Sequence, residues 1–201
     1  MPQDWYDSFA KLSDKEVDGI DFQVCVLDRQ SDTLIIAPHG GCIEPGTSDI
    51  ARAIAKSDYS LYLFEGLKPR AHCELHITSH KFDEPKAIEI TRTSLKLIAV
   101  HGRADRVDGK TTWLGGLNAD LRAKVEEALY ENGFTAHQSK GHLAGEHPNN
   151  ICNRSGVNCG VQLEVPKALR RKLSGDALLM TTFAAALRKA VEAMPIGTMR
   201  E

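Results

Sequence analysis

The stretch Ala37-Pro38-His39-Gly40-Gly41-Cys42-Ile43-Glu44-Pro45-Gly46-Thr47 puts an imidazole and a carboxylate in one glycine-bearing loop, directly after an apolar run. Zinc accepts both ligand types at about 2 Å, and a catalytic zinc takes three protein ligands plus water. Gly40 and Gly41 let the chain curl so that His39 and Glu44 face one atom. A polar loop with a solvated Glu44 explains these residues equally well until a third ligand is found. Val100-His101-Gly102 supplies one, repeating the order of apolar strand, histidine at its end, then glycine. A lone His101 would read as a satisfied strand-end residue. Open α/β sheets build their sites at the carboxyl ends of strands, and two such ends together favour a His-Glu-His zinc site made by His39, Glu44 and His101.

Hydrolytic zinc chemistry also needs a carboxylate that is not a ligand, to take a proton from water and return it to the leaving amine. Glu164, late in the otherwise apolar run Val161-Gln162-Leu163-Glu164-Val165, is the candidate. The competing reading is a strand that alternates and turns Glu164 to water. Arg154 has the fork geometry to hold a substrate carboxylate, or is a structural loop arginine. His76 reads as a group orienting Glu65 or a ligand from behind, or as a hydrogen-bonded core histidine. His142, Glu146 and His147 read as solvated loop residues. Cys42 reads as a small packing residue, because a hydrolytic zinc keeps a position open.

These groups need a scaffold. Apolar runs predict strands at residues 22–27, 33–37, 60–64, 95–100 and 161–165, with a short one within 133–138. Pro38 is expected to stop the second of them. Helices are expected near Trp5–Leu12, after an N-cap at Thr47, at 83–93 opened by Pro85, and at 117–132 closed by Gly133. A last helix over 176–194 is expected to bury Leu178, Leu179, Phe183, Leu187 and Val191. Residues 139–156, rich in Gly, His, Asn and Ser, read as a long loop. Strands alternating with helices give an α/β fold: a mixed, mostly parallel sheet flanked by helices, in one domain over residues 1–201.

The motifs His39-Gly-Gly-Cys-Ile-Glu44-Pro-Gly-Thr, Tyr62-Leu-Phe-Glu65-Gly, Leu75-His76-Ile-Thr-Ser, Phe82-Asp-Glu-Pro, Val100-His101-Gly, Asn150-Ile-Cys-Asn153-Arg154 and Gly160-Val-Gln-Leu-Glu164 together resemble the phage-type poly-γ-glutamate hydrolases. The resemblance runs from about Trp5 to past Leu169. It implies a compact zinc carboxypeptidase-like fold, one zinc per chain on His39, Glu44 and His101, and Glu164 as general base. Zinc carboxypeptidases space their first ligand pair as H-x-x-E, whereas four residues separate His39 from Glu44. The Asn153-Arg154 pair also follows both ligand motifs, where the larger enzymes place theirs between them. The segment after Arg171 matches no recognised motif.

The 201 residues suffice for a substantial core, and 42% hydrophobic with 26% charged residues is ordinary globular composition. The net charge of −2 argues against a nucleic-acid-coating protein. Apolar runs fall far short of membrane-spanning length, and the first residues lack the pattern of a secretory signal. Five scattered cysteines without a C-x-x-C pair suit a reducing compartment. The expectation is a monomeric enzyme made in the cytoplasm and released by lysis. Its substrate would be a polyanionic γ-glutamyl polymer, with neither nucleic acid nor membrane as partner. Two other readings stand beside it: a zinc peptidase or amidase acting on another γ-glutamyl linkage, such as one in the cell wall, and a non-catalytic binding protein linked to phage replication.

Overall fold

The computed structural model describes residues 4–106 and 108–195. Residues 1–3, 107 and 196–201, which the expected domain takes in and three of which were read for a signal, lie outside the described residues. Among the described residues the strands are β1 (Phe22–Leu27), β2 (Thr33–Gly41), β3 (Ser60–Gly66), β4 (Lys96–Arg103), β5 (Thr112–Gly115), β6 (Ala136–Gln138) and β7 (Val161–Pro166). They form one sheet in the order β1-β3-β2-β4-β7-β5-β6. β2 runs parallel to both β3 and β4, as do β4 to β7 and β5 to β6, while β1–β3 and β5–β7 are antiparallel. The sheet is therefore mixed and mostly parallel, as expected.

Both faces are covered, which is why the central strands are apolar throughout rather than alternating. Ile35, Ala37, Leu61, Leu63, Ile98 and Val100 point into one core, under α2 (Thr47–Ala55), α5 (Ala119–Glu131), α6 (Lys167–Gly175) and α7 (Ala177–Glu192). Their neighbours Leu34, Ile36, Tyr62, Phe64, Leu97 and Ala99 point into the other. Over that second core lie α1 (Phe9–Ser13), α3 (Ala71–Glu74) and α4 (Pro85–Thr93). Each fully buried Leu or Ile contributes about 1.5–3 kcal/mol through the surface it removes from water. Among the described residues no helix is long and apolar enough to cross a membrane.

The chain leaves β2 through α2 to reach β3 on one side, then passes through α4 to β4 on the other side of β2. β2 and β4 thus flank the point where the strand order reverses, the place where open α/β sheets leave a crevice at their carboxyl ends. His39 and His101 stand at those two ends.

Several local expectations are corrected. Pro38 does not stop β2, which continues to Gly41 with its register against β3 shifted between Ala37 and Gly40. A proline without a donor is accommodated at such an irregularity, and the irregularity re-aims His39. Thr47 is the first helical residue of α2 and Gly46, at φ 94°, is its cap; the Thr47 hydroxyl instead donates to the carbonyls of Glu44 and His39. Leu178 is 78% exposed, so α7 buries a narrower side than expected. Residues 139–156 contain two 3₁₀ turns, Gly141–Leu143 and Ile151–Asn153. Strand β5 and helices α3 and α6 went unanticipated, the first two because they are only four residues long.

Candidate active site

Beyond the irregularity in β2 the backbone turns tightly. Gly41 takes φ 60° against the backbone of Gly66, and a Cβ there would lie 2.4 Å from the Gly66 carbonyl oxygen. The turn closes with Glu44 N–H donating to the His39 carbonyl at 2.9 Å, which carries the Glu44 side chain back over His39. From β4, the amide of Gly102 donates to Glu44 Oε2 at 2.7 Å and fixes that carboxylate beside His101.

His39, Glu44 and His101 come together as expected, each offering one ligand atom, all within 4.8 Å of one another. The His39 and His101 Nδ1 atoms are 3.1 Å apart, and Glu44 Oε2 is 3.6 and 3.9 Å from them respectively. Ligands about 2.0–2.1 Å from a tetrahedral zinc would be separated by about 3.3–3.4 Å, so the donor set fits that ion. His39 Nε2–H donates to the Ile77 carbonyl at 2.8 Å, leaving Nδ1 to face the cluster. The two histidines are 1% and 2% exposed, with Glu44 half-buried beside them, so the polar groups of the cluster face one another rather than water.

The electrostatics agree. Burial disfavours a charge on His39, but the Glu44 carboxylate outweighs it and raises the imidazole above its ordinary value. Burial likewise opposes ionisation of Glu44, yet the facing histidines hold it down at about 2. His101, buried and next to a charged His39, falls to about 3. Burial drives Glu164 well above the carboxylate range, and the negative Glu44 pushes the same way.

Glu164 sits opposite His101 in the β4–β7 register and opposite Trp113 in the β5–β7 register, 7% exposed rather than turned to water. Its Oε1 accepts from Gln162 Nε2 at 2.8 Å, and Gln162 Oε1 accepts from Asn150 Nδ2 at 2.9 Å. Gln162 lies two residues before Glu164 on the same strand face, a period-2 relation that sequence alone displays. The ligand cluster and Glu164 open into one cavity of about 470 Å³.

His76 is placed behind His39, ring centroids 4.2 Å apart, with its Nδ1 2.8 Å from Asp4 Oδ1. Burial works against the Asp4 carboxyl, but hydrogen bonds from His76 and Thr78 keep it well below the usual range. Glu65 belongs elsewhere: it accepts from Gln23 and Arg52 and does not meet His76. Arg154 does not line the cavity; its Nε donates to the Asn149 carbonyl at 2.9 Å. Cys42 is exposed, not packed. His142 is exposed at the cavity wall, and exposed His147 lies against His80.

One further residue escaped sequence reasoning. Arg170 of α6 is 5% exposed and reaches three segments at once: Nε to Val165 O at 3.1 Å, Nη1 to Pro45 O at 2.6 Å and Nη2 to Arg103 O at 3.3 Å. It ties the Glu44 turn to the ends of the strands bearing His101 and Glu164. The signal available in sequence was the pair Arg170-Arg171, four and five residues after Pro166.

A family model described as poly-gamma-glutamate hydrolase matches residues 6–185. The chain belongs to that family. Among its relatives is the SPbeta prophage-derived UPF0714 protein YoqZ of Bacillus subtilis (strain 168), 38% identical over 175 residues, 86% of this chain and 62% of that protein. UPF0714 protein YndL of the same organism is 39% identical over 176 residues, 86% of this chain and 68% of its own. The chain thus spans less than two thirds of the YoqZ length. The structure of a bacteriophage poly-gamma-glutamate hydrolase superposes with TM-score 0.88 at 31% identity, covering 94% of this chain and 97% of the other. Zinc-free, apo YndL superposes with TM-score 0.87 at 33% identity, covering 95% and 98%.

Proposed function

We propose that this protein is a zinc-dependent hydrolase of γ-glutamyl amide bonds, with poly-γ-glutamate as its substrate, His39, Glu44 and His101 as ligands of one zinc, and Glu164 as general base and acid. The observation that carries the reading is the convergence of the His-Glu-His cluster and a separate buried carboxylate, Glu164, in one cavity. Family membership supports the substrate, and the existence of a zinc-free form of YndL supports the choice of metal.

When bound, zinc supplies a Lewis acid that polarises the scissile carbonyl and acidifies water near neutrality. The residues of the chain do the rest. Glu44 stays ionised and fixed by the Gly102 amide, so it offers a formed anionic ligand. His39 presents Nδ1 because Ile77 holds the proton on Nε2. Glu164, oriented by Gln162, takes the proton from the attacking water and hands it to the departing amine nitrogen. Burial raises the Glu164 carboxyl well above the ordinary carboxylate range, the direction that favours holding and returning a proton.

The test compares wild type with Glu164→Gln for zinc content and for shortening of poly-γ-glutamate. Zinc in both proteins with shortening by wild type alone is the expected result. Zinc binding without polymer cleavage by wild type would move the substrate to another γ-glutamyl amide. Failure to take up zinc after incubation with the metal would overturn the enzyme reading.

A further inference from the structure

The cavity wall is lopsided in charge. Its only carboxylates among the described residues are Glu44 and Glu164, both at the centre, and the surrounding wall carries arginine and histidine. Two arginines come from the end of β4 and the segment that follows it, and they are used differently. Arg103 is 8% exposed at its side chain and spent on its own segment: Nη1 donates to the carbonyls of Ala104 and Asp108, both at 3.0 Å, and Nη2 to Thr111 O at 2.6 Å. It also pairs with the Asp108 carboxylate at 3.3 Å. Those bonds brace residues 104–106 and 108–111 from inside. Asp105 is turned away, its Oδ1 accepting from the Ala168 amide at the start of α6 at 3.0 Å.

Arg106 is what the braced turn presents. It lines the cavity and is exposed, and among the described residues it makes no hydrogen bond or ion pair. We propose that Arg106 is the substrate-carboxylate anchor of this site: its guanidinium grips the free α-carboxylate of a glutamate next to the scissile γ-amide. The proposal rests on the poly-γ-glutamate reading above and replaces Arg154 in that role. In a γ-linked polymer every residue carries such a carboxylate, and arginine is the side chain whose planar fork matches it in a bidentate pair. The location fits, because the turn leaves β4 only a few residues after His101 and so hangs beside the reacting centre. A pre-braced turn also lowers the ordering cost when the carboxylate arrives.

The experiment measures kcat and KM on poly-γ-glutamate for wild type, Arg106→Ala, Arg106→Lys and Arg154→Ala, with melting temperature and zinc content as controls. Arg106→Ala is expected to raise KM about tenfold while kcat stays close to wild type, the pattern of lost uniform binding. Arg106→Lys should recover part of that loss, and Arg154→Ala should leave KM unchanged. An unchanged KM in Arg106→Ala, or a rise carried by Arg154→Ala, overturns the proposal while leaving the hydrolase reading intact. Polymer affinity is measured as well in Glu164→Gln, with and without Arg106→Ala, so that the anchor is tested apart from turnover. Equal affinities there overturn the anchor, whereas absence of cleavage by wild type counts against the hydrolase reading alone.

Discussion

Arg170→Ala is the substitution that most directly tests whether the site is held from behind. The guanidinium is buried and spans the Glu44 turn, the end of β4 and the end of β7 through three carbonyls. Hydrogen bonds from a charged donor contribute about 1.5–3 kcal/mol each, and the contacts at 2.6 and 3.1 Å belong in that class while the one at 3.3 Å counts for less. The variant also ceases to desolvate a cation, which returns part of the sum. The net expectation is a loss of about 2–4 kcal/mol, or a fall in Tm of roughly 10 °C for a chain of this size. Zinc affinity should fall about 10–100-fold, the usual effect of losing a group that orients ligands through hydrogen bonds. Arg170→Lys keeps the charge but cannot span three carbonyls, and should fall between the two. The assays are thermal unfolding without metal and a competitive zinc titration. A variant within about 0.5 kcal/mol of wild type, the range of an ordinary surface change, with unaltered zinc affinity, would refute the clamp.

Gly41→Ala meets the Gly66 carbonyl at 2.4 Å from a φ of 60°, so it should destabilise the protein by about 1–3 kcal/mol and weaken zinc binding, both readable in the same two assays. Gln162→Leu removes the donor to Glu164 and leaves Asn150 Nδ2 without its acceptor; kcat should fall about 10–100-fold with zinc content unchanged, and a full-speed variant would show that Glu164 needs no orienting partner. Zinc affinity should rise with pH: His39, raised above its ordinary value in the metal-free site, must lose a proton on binding, whereas His101 near 3 and Glu44 near 2 have none to lose at neutral pH. Calorimetric zinc titrations in buffers of different ionisation enthalpy measure that release, and an affinity that does not rise as the pH is raised through the titration of His39 would contradict it.

How far the sequence carried depended on whether the deciding interaction was local. His39, Glu44 and His101 were legible because strand ends announce themselves by apolar runs meeting glycine, and Glu164 because a carboxylate in a buried strand is conspicuous. The resemblance to the phage-type hydrolases pointed to the same residues. The path of β2 through Pro38 was misjudged because a proline is tolerated at an irregularity that only pairing with β3 reveals. Arg154 could be read from its polar loop either as a substrate arginine or as a structural one, and nothing nearby in sequence shows its hydrogen bond to the Asn149 carbonyl. Arg170 lies far from Pro45 and Arg103 in sequence, so its clamp existed only once the sheet had assembled.

The two carboxylates of the cavity argue together for what it is built to hold. Burial works against a charge on either, but the histidines beside half-buried Glu44 keep it charged while Glu44 in turn pushes Glu164 upward. In the metal-free site the fixed negative charge of Glu44 is answered by the proton on His39, while Arg103 and Arg170 direct their guanidinium groups mainly at backbone carbonyls. A divalent cation among His39, Glu44 and His101 would take the place of that proton and favour the ionised form of Glu164. On this reading, loading the metal also sets the base. Zinc titrations should then release more protons from wild type than from Glu164→Gln, and equal release would show that Glu164 is already ionised before the metal arrives.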